Sequence, residues 1–549
     1  MIFSLVIFVT FLISCFLISS VNIGRYSRFE SALISLIYLI SIFAVSITKG
    51  CSVFVFPLLF ISYTLIDNRR SIKWVLNSLN DWISIIFIFF LFYFIFFVLP
   101  GFVLAYPHED YLIYERIAHY NYEYGVENTR TFYNAISDNQ PRVELYHYFE
   151  IWGAKMISIA NGMNFLDNFI LVLCPLMVFI SWLGIKELLN KNEWIPLFII
   201  FSIFLFINPY DYLVRTFKLP FPITGLGGVI NSLKYLFVIP ILIYSLIQIE
   251  KSNTKYFRVL VVSFLYLLVF PVLLVSFLFY DIINKRVSGL RIIIPIFLGL
   301  IFYIFVKLLD QGAISSEINF LYFIDYSISF KILIIGVFFP FLIFIFLKFV
   351  LGFKYSKNHV LFFMFNALVG SFMWIIHFDN IDANQLYRNS LSPFFSLLIF
   401  INLETIDIKW KFRFIIFISL FVFAAVVSSL QKVSLSPLEN RFLNYIENKN
   451  RVLFIPDSSY VKSVYQFNER LNFKYLKIFY YKSDIDIINF VSLYSIPNRV
   501  DTNLGINMIL QYKSLSPLLD YCQGSNVQDS CIVSYAKEVN VDLIVDERK

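Results

Sequence analysis

The chain has 549 residues, of which 59% are hydrophobic and 20% are aromatic, and its mean hydropathy is +0.74. Because soluble domains contain only roughly 45–50% apolar residues, this composition excludes an ordinary soluble protein. The net charge of +7 is spread over the loops between apolar runs. This spread is typical of cytoplasmic loops in a membrane protein and gives no indication of a nucleic-acid partner.

Runs rich in Phe, Ile and Leu recur along the first four fifths of the chain. A run of roughly 20 such residues predicts a membrane-spanning helix, since that length crosses about 30 Å of hydrocarbon. We therefore predict a polytopic α-helical membrane protein with about 13 transmembrane segments. The predicted segments are 2–21, 32–48, 52–66, 82–105, 165–185, 195–207, 229–249, 259–282, 292–309, 332–351, 360–378, 392–406 and 414–430.

Short loops rich in Lys and Arg predict which ends of the segments face the cytoplasm. Arg258 and Arg286 both fit that side, although only the run 259–282 separates them. Pro271 lies near the centre of this run, so we predict two short half-helices that enter and return on the same side. With this hairpin the outer face receives the polar stretches 106–163, 208–228 and 379–389 together with the tail.

The tail differs in character from the rest of the chain. We assign residues 1–433, including the outer loop 106–164, to a transmembrane domain and residues 434–549 to a small extracytoplasmic α/β domain. Its apolar runs shorten to strand length in "RVLFIP", "YLKIFYY" and "VDLIVDE", with a helical stretch around 460–471. A supporting or acceptor-binding role is expected. Cys522 and Cys531 lie in this polar region, and a disulfide between them would require a location outside the cytoplasm.

The outer loop contains a helical pattern that begins at Asp110 and ends at Gly125, a middle piece, and a second helical pattern at 142–160 that ends near Gly162. Asp110 follows Pro107 and opens the first helix. One interpretation is an N-cap that accepts backbone N–H bonds. The other is a carboxylate whose pKa is tuned for general-base catalysis on a sugar hydroxyl. The two roles are compatible, because capping fixes where a carboxylate points.

Two sets of acidic and histidine residues in this loop have helical spacing. Either set could share one helix face and ligate a divalent metal. The alternative, which we favour, is a solvated polar face. The sets are Glu115, His119 and Glu123, and Glu144, His147 and Glu150.

Basic residues occur in two other outer stretches, namely Arg215 and Lys218 in the second and Arg388 in the last. An arginine fork matches phosphate oxygens, so at a membrane boundary these residues could bind a lipid-linked phosphate. The alternative is snorkelling to lipid headgroups.

In layout the chain resembles the GT-C superfamily of integral-membrane glycosyltransferases, with many spans, an acidic motif opening a large outer loop, juxtamembrane helices, basic outer loops and a C-terminal outer domain. The stretch "HEDYLIYERIAHYNYEYGVEN" at 108–128 is similar to the start of that loop in bacterial members. Two features differ from the family: the motif is not a plain Asp pair, and four spans precede the loop where many members have one.

The resemblance implies inverting transfer of a sugar from a polyprenyl-phosphate carrier to a glycan, lipid or protein acceptor at the outer side of a bacterial inner membrane. It implies that Asp110, or the competing Glu109, is the base and that Arg388 holds the departing phosphate. No cofactor follows with certainty, and a divalent cation is left open. The further substrate-binding candidates are His108, Tyr114, Glu127, His147, Arg215 and Lys218.

Two other functions compete with this one. A polymerase or ligase of O-antigen-type polysaccharide would share the spans and the lipid-linked donor. A lipid-linked sugar transporter or flippase would have charged or broken helices at mid-membrane and paired halves. Pro271 and Lys234 are the features of this sequence that hint at the transporter.

Overall fold

The protein is an α-helical membrane protein in the computed structural model. The structure describes residues 2–24, 26–50, 52–67, 72–107, 110–127, 148–189, 233–251, 255–286, 289–309, 326–376, 383–402, 430–435, 437–446, 448–449, 451–455, 476–481, 486–489, 529–538 and 542–546.

The helices are, in chain order, α1 (Ile2–Ser20), α2 (Arg28–Ile47), α3 (Val55–Asp67), α4 (Leu79–Val98), α5 (Asp110–Tyr124), α6 (Tyr148–Asn161), α7 (Phe165–Leu189), α8 (Tyr235–Glu250), α9 (Tyr256–Ser263), α10 (Phe270–Ile283), α11 (Gly289–Leu309), α12 (Tyr326–Leu333, Ile334–Phe338 and Phe339–Leu351), α13 (Lys357–Ile376), α14 (Ala383–Asn402), α15 (Pro437–Ile446), α16 (Leu476–Tyr481) and α17 (Asp529–Glu538). The strands are β1 (Val21–Ile23), β2 (Ile72–Trp74), β3 (Ala105–Tyr106), β4 (Gln431–Lys432), β5 (Arg451–Ile455), β6 (Asp486–Asn489) and β7 (Leu543–Asp546).

Each predicted segment that has described residues is helical over most of them, whereas 195–207 and 414–429 lie outside the described residues. Among the described helices, five are long and apolar enough to cross a membrane, namely α1, α2, α4, α7 and most of α13. The other described helices do not by themselves establish further crossings, so the number of about 13 stays a prediction.

Helix α7 lies at the centre of the bundle, and the stretch of it that is long and apolar enough to cross a membrane is buried. Gly184 explains part of this packing, because a Cβ there would lie 2.7 Å from Ile243 Cγ2 and 2.8 Å from Phe29 Cε2. The missing side chain allows α7 to approach α2 and α8 closely. A surface that is buried on all sides accounts for the all-round apolar sequence of this helix.

A polar cluster joins the helix ends at one end of the bundle. The carboxylate of Asp81 accepts the backbone N–H of Ser78 at the start of α4 (3.0 Å). It also forms ion pairs with Arg28 (2.6 Å) and Lys186 (3.3 Å). Glu30 caps α2 together with Ser27 and pairs with Lys251 (3.1 Å). We call this end, defined by Arg28, Lys186, Lys251 and Arg286, the basic end.

Asp81→Asn is expected to lower the stability of the fold by about 2–3 kcal/mol, since hydrogen bonds to charged groups each contribute about 1.5–3 kcal/mol. The asparagine keeps a capping oxygen but no longer pairs with Arg28 and Lys186. Thermal unfolding of the detergent-solubilised protein measures the change. Asp67→Asn, at the exposed end of α3, is the matched control and should change stability by less than about 0.5 kcal/mol. Equal unfolding temperatures for the two variants would contradict the prediction.

Helices α9 and α10 form the predicted hairpin. Tyr256 at the start of α9 donates its hydroxyl to Asp281 near the end of α10 (2.6 Å), so the start of α9 and the end of α10 lie side by side. Arg286 then donates to the carbonyls of Ile249 (2.6 Å) and Lys251 (3.0 Å). Pro271 occupies the first turn of α10, where its missing N–H costs no helical hydrogen bond. The two ends of this run therefore lie at the same end of the bundle, as predicted, and the side of the membrane that they face stays a prediction.

Helix α2 separates the basic end from a second group of elements. With 20 residues it is about 30 Å long. Arg28 at its start belongs to the basic end, whereas Lys49, beyond its other end, donates its N–H to the carbonyl of Gly125 (2.8 Å). Helix α5 therefore lies at the opposite end of the bundle, which we call the loop end, defined by α5 and α6.

The described tail contains a three-stranded parallel sheet with the order β6-β5-β7. Arg451 pairs with Asp486, and Val452 pairs with Leu543. The predicted strands in "RVLFIP" and "VDLIVDE" are confirmed. The strand predicted in "YLKIFYY" is wrong, because this stretch forms α16. Lys477 and Tyr480 both contact the rest of the protein, and residues three apart share a face in a helix but not in a strand. The helical stretch around 460–471 lies outside the described residues.

Candidate functional site

Short backbone pairing fixes the start of the loop end. Strand β3 pairs antiparallel with β4, so Ala105 lies opposite Lys432, and Val433 donates its N–H to the carbonyl of Leu104 (3.0 Å). The chain then reaches α5, which begins at Asp110 and ends at Tyr124. The segment that carries the acidic motif is thereby tied to residues more than three hundred positions later in the sequence.

The predicted bounds of α5 are confirmed. Gly125 ends the helix with φ +69°, and a Cβ there would lie 2.8 Å from the carbonyl oxygen of Ile47. Glycine meets both requirements, a left-handed backbone and close approach to another chain segment. Helix α6 likewise ends at Asn161 before Gly162, as predicted. Residues 142–147 and the predicted middle piece lie outside the described residues.

Tyr114, a predicted substrate-binding residue, is buried in an aromatic group on α5 and α7. Its ring centroid lies 5.5 Å from that of Tyr111 and 6.4 Å from that of Phe169, and Tyr111 in turn lies 5.3 Å from Phe169. The side chain of Tyr114 is 2% exposed. These contacts pack α5 onto the first turns of α7, and the predicted role of Tyr114 in binding substrate stays a prediction.

Two carboxylates lie close together where α5 packs against α7. Glu115 is buried, with one oxygen that has no hydrogen-bond partner among the described residues, and it lies near Asp167 in the first turn of α7 and Lys155 on α6. Burial, reinforced by the charge of Asp167, raises the pKa of Glu115 well above its ordinary value, while Lys155 and the backbone N–H of Phe165 act in the opposite direction. Burial also lowers the pKa of Lys155, against the charges of Glu123 and Glu115.

This arrangement can hold a proton at the loop end. A buried carboxylate beside a second carboxylate favours its protonated form at neutral pH, and such pairs are common where proton transfer is catalysed. The sequence pattern indicated Glu115 only as a member of a metal-ligand set and did not indicate Asp167. One signal was present, since Asp167 is an ionisable residue two positions inside an apolar run.

The tail covers this carboxylate pair. Tyr480 of α16 donates its hydroxyl to Asp167 (3.0 Å), and Asn164 donates its side-chain N–H to the carbonyl of Tyr480 (3.1 Å). Helix α16 packs against α5. Burial and the adjacent Asp167 raise the pKa of Tyr480 above its ordinary value, so the phenol stays protonated and able to donate.

Tyr480→Phe is expected to loosen the tail, because Asp167 would lose the one side-chain donor it has among the described residues. We expect a loss of about 1–3 kcal/mol and faster proteolysis of the tail. Limited proteolysis followed by mass spectrometry measures this. Tyr481→Phe is the matched control: that side chain is 48% exposed and its hydroxyl lies 3.5 Å from the carbonyl of Val433, too far for a strong bond. Equal cleavage rates for the two variants would count against a docked Tyr480.

Glu127, also predicted to bind substrate, is fully buried and accepts three hydrogen bonds. The donors are the hydroxyl of Ser52 (2.7 Å), the N–H of Val53 (2.7 Å) and the indole N–H of Trp152 (3.0 Å). Burial raises the pKa of Glu127 to about 7, although the three donors act in the opposite direction. In this structure Glu127 joins the end of α5 to α6 and to the segment before α3, and its role toward substrate stays a prediction.

The described residues contain no group of three or more His, Cys, Asp or Glu side chains that could hold a metal ion. Glu123 is exposed, as predicted for a solvated face, and His119 is partly exposed. The solvated-face prediction is wrong for Glu115 and Glu150, which are buried. Their burial follows from α5 and α6 packing against each other and against α7. The other two members of the second set, Glu144 and His147, lie outside the described residues.

Most of the predicted catalytic and binding side chains also lie outside the described residues. The backbone of Asp110 begins α5, and that of Arg388 lies in the first turns of α14, but their side chains are not described. The remaining ones are His108, Glu109, His147, Arg215 and Lys218.

The backbones of Asp110 and Arg388 lie at the same end of the bundle. Nε2 of His359, in the first turn of α13, lies 2.9 Å from Oε1 of Glu250 at the basic end. Helix α13 has 20 residues and so runs about 30 Å away from that end. Helix α14 begins at Ala383, soon after α13 ends at Ile376, and packs against it. Arg388 therefore lies toward the loop end, where α5 begins.

Comparisons with known protein families, with curated proteins and with solved structures found no match.

Proposed function

We propose that this protein is a membrane glycosyltransferase that transfers a sugar from a polyprenyl-phosphate carrier to a glycan, lipid or protein acceptor at the loop end. The observation that carries the proposal is the placement of the acidic helix α5. It begins at Asp110 beside the ends of membrane-length helices, with the backbone of Arg388 toward the same end. A carboxylate at a membrane boundary can meet both a lipid-borne donor and a soluble acceptor.

In this mechanism Asp110 takes the proton of the acceptor hydroxyl as that oxygen attacks the anomeric carbon, and Glu109 is the competing base. The bond from the anomeric carbon to the phosphate oxygen breaks on the opposite face, so the configuration inverts. Arg388 binds the departing polyprenyl phosphate, which leaves with the bonding electron pair. The proposal also assigns substrate-binding roles to six further residues, namely His108, Tyr114, Glu127, His147, Arg215 and Lys218.

The proposed topology is that of a multi-pass protein of a bacterial inner membrane with about 13 crossings. The basic end faces the cytoplasm, and the loop end and the tail domain at 434–549 face outward. Two observations support this. The α9–α10 hairpin keeps the basic residues at both of its ends on one side. Cys531 is disulfide-bonded, as expected outside the cytoplasm; its partner lies outside the described residues, and Cys522 is the predicted one.

The test is to incubate the purified protein in lipid nanodiscs with a panel of polyprenyl-phosphate sugars and candidate acceptors. Release of free polyprenyl phosphate and a new glycosidic product are expected with at least one donor. Inversion is read from the anomeric configuration of the product by NMR. Absence of turnover for every donor, with a correctly folded protein, would contradict the proposal.

A transporter of lipid-linked sugar is the second candidate, and the broken hairpin of α9 and α10 favours it. At about 1.5 Å per residue, eight and 14 residues span about 12 and 21 Å, so neither helix crosses the bilayer alone, and transporters use such half-helices at their binding sites. The same nanodisc preparation is compared with proteoliposomes that contain a fluorescent lipid-linked sugar. Movement of the lipid between leaflets without any covalent product would favour the transporter.

A further inference from the structure

A narrow cavity lies near the basic end between α2, α3, α8 and α9. Its empty volume, including the space at its mouth, is about 340 Å³. Most of the wall is apolar and includes Ile34, Phe60 and Val261. The outward face of α3 beside it is also apolar, since Leu59 and Tyr63 are 66% and 72% exposed. A cavity that adjoins such a face can admit a hydrocarbon chain from the bilayer.

The polar part of the cavity has donors without acceptors. The hydroxyl of Tyr244 is buried and has no hydrogen-bond partner among the described residues. The guanidinium of Arg258 lies over the ring of Tyr26, 4.3 Å from its centroid, and belongs to none of the ion pairs within the described part of the chain. A buried hydroxyl without a partner costs about 1–3 kcal/mol, so a ligand with acceptor oxygens would be stabilised at this position.

Three cations, Lys251, Lys255 and Arg258, outnumber the two carboxylates, Glu30 and Glu187, around this part of the cavity. Glu30 also lines the cavity, but Lys251 and the N–H of Ser27 already engage its carboxylate. Lys255 and Arg258 lie at the start of α9, where the helix dipole is positive. Partial burial and the charges of Arg258 and Lys251 lower the pKa of Lys255, against the effect of Glu30. An added negative charge would relieve this repulsion.

We propose that this cavity binds an acidic phospholipid, with its phosphate between Arg258 and Tyr244 and one acyl chain in the apolar part between α3 and α9. Arginine forms paired hydrogen bonds with phosphate oxygens, and basic pockets between helices on the cytoplasmic side bind acidic headgroups. The site lies about 30 Å from the loop end, at the other end of α2, so it is independent of the proposed transfer reaction. A lipid bound here would also join the hairpin to α2 and α3.

The experiment compares wild type, Arg258→Gln, Tyr244→Phe and Val261→Phe, the last of which fills the apolar part. Lys73→Gln is the matched control, because Lys73 is an exposed cation near the same end. Each protein is delipidated in detergent and then given phosphatidylglycerol, phosphatidylcholine or inorganic phosphate. Native mass spectrometry measures the bound lipid, and thermal unfolding measures the stabilisation.

Wild type and Lys73→Gln are expected to retain one phosphatidylglycerol about tenfold or more in preference to phosphatidylcholine, and Arg258→Gln to lose that preference. Tyr244→Phe and Val261→Phe should weaken binding, and these two variants decide the matter if Arg258→Gln does not fold. Equal retention by wild type and all three cavity variants would overturn the proposal, as would an equal loss in Lys73→Gln. Stabilisation by inorganic phosphate equal to that by phosphatidylglycerol would also overturn it, because the acyl chain of the lipid would then contribute nothing to binding.

Discussion

Asp110→Asn is expected to lower the rate of sugar transfer by about 10²–10⁴-fold, the usual contribution of a general base. An amide cannot accept the proton of the acceptor hydroxyl. Asp110 is the first residue of α5, and asparagine has the same shape as aspartate, so α5 should still begin at the same residue. The rate should therefore fall without a change in thermal unfolding. The measurement is the release of polyprenyl phosphate in nanodiscs, together with the unfolding temperature of the same preparation.

Two further variants interpret the result. Glu123→Gln makes the same chemical change at an exposed position of the same helix and should keep the wild-type rate. Glu109→Gln separates the two adjacent candidates, since only the carboxylate that acts as base should be indispensable. If Asp110→Asn keeps full activity and Glu109→Gln has none, the base is Glu109. If both variants turn over like wild type, neither residue is the base and the mechanism fails.

The sequence predicted best where a local pattern determined the structure. The bounds of α5 followed from Pro107 before it and Gly125 after it, because the left-handed turn at Gly125 depends on that residue alone. The hairpin of α9 and α10 followed from Pro271 and from basic residues at both of its ends. The same reasoning could not fix the number of crossings, since several described helices are too short for apolar length alone to decide.

The features that the sequence did not predict depend on contacts between distant segments. Glu115 was expected on a solvated face, but α6 and α7 cover it. The sequence pattern did not indicate Asp167 as a site residue. Its hydrogen-bond partner Tyr480 comes from the tail, more than three hundred residues away. The stretch that contains Tyr480 has strand composition but forms a helix because one face packs on α5. Such pairing is decided by tertiary packing, which overrides local propensity.

These contacts make the loop end a compact region in which buried carboxylates carry both packing and charge. Glu127 binds the end of α5 to Trp152 of α6 and to the segment that opens α3. Glu115 and Asp167 lie where α5, α6 and α7 meet, and Tyr480 closes that group from the tail. If Asp110 is the base, its position at the start of α5 is held by this set of contacts, so mutations there should alter transfer indirectly through stability.

Glu127→Ala is expected to destabilise the protein by at least about 3 kcal/mol. The change removes the three hydrogen bonds that Glu127 accepts from Ser52, Val53 and Trp152, and hydrogen bonds to charged groups each contribute about 1.5–3 kcal/mol. The thermal unfolding of detergent-solubilised protein, followed by tryptophan fluorescence, measures the loss. Glu123→Ala, at an exposed position, is the control and should change stability by less than about 0.5 kcal/mol. An unfolding temperature of Glu127→Ala equal to that of the control would show that the three contacts do not hold the loop end together.

The pH dependence of stability distinguishes the charge of Glu127 from its packing. Burial raises its pKa in the folded protein from 4.5 to about 7, so the folded state holds the proton more tightly than the unfolded state. The stabilisation is complete below about pH 4.5 and is lost as the pH rises through about 7, by roughly 3 kcal/mol in total. Glu127→Gln does not titrate, so the stability of wild type relative to this variant should fall between pH 5 and pH 8. A constant difference across that range would mean that Glu127 keeps an ordinary pKa despite its burial.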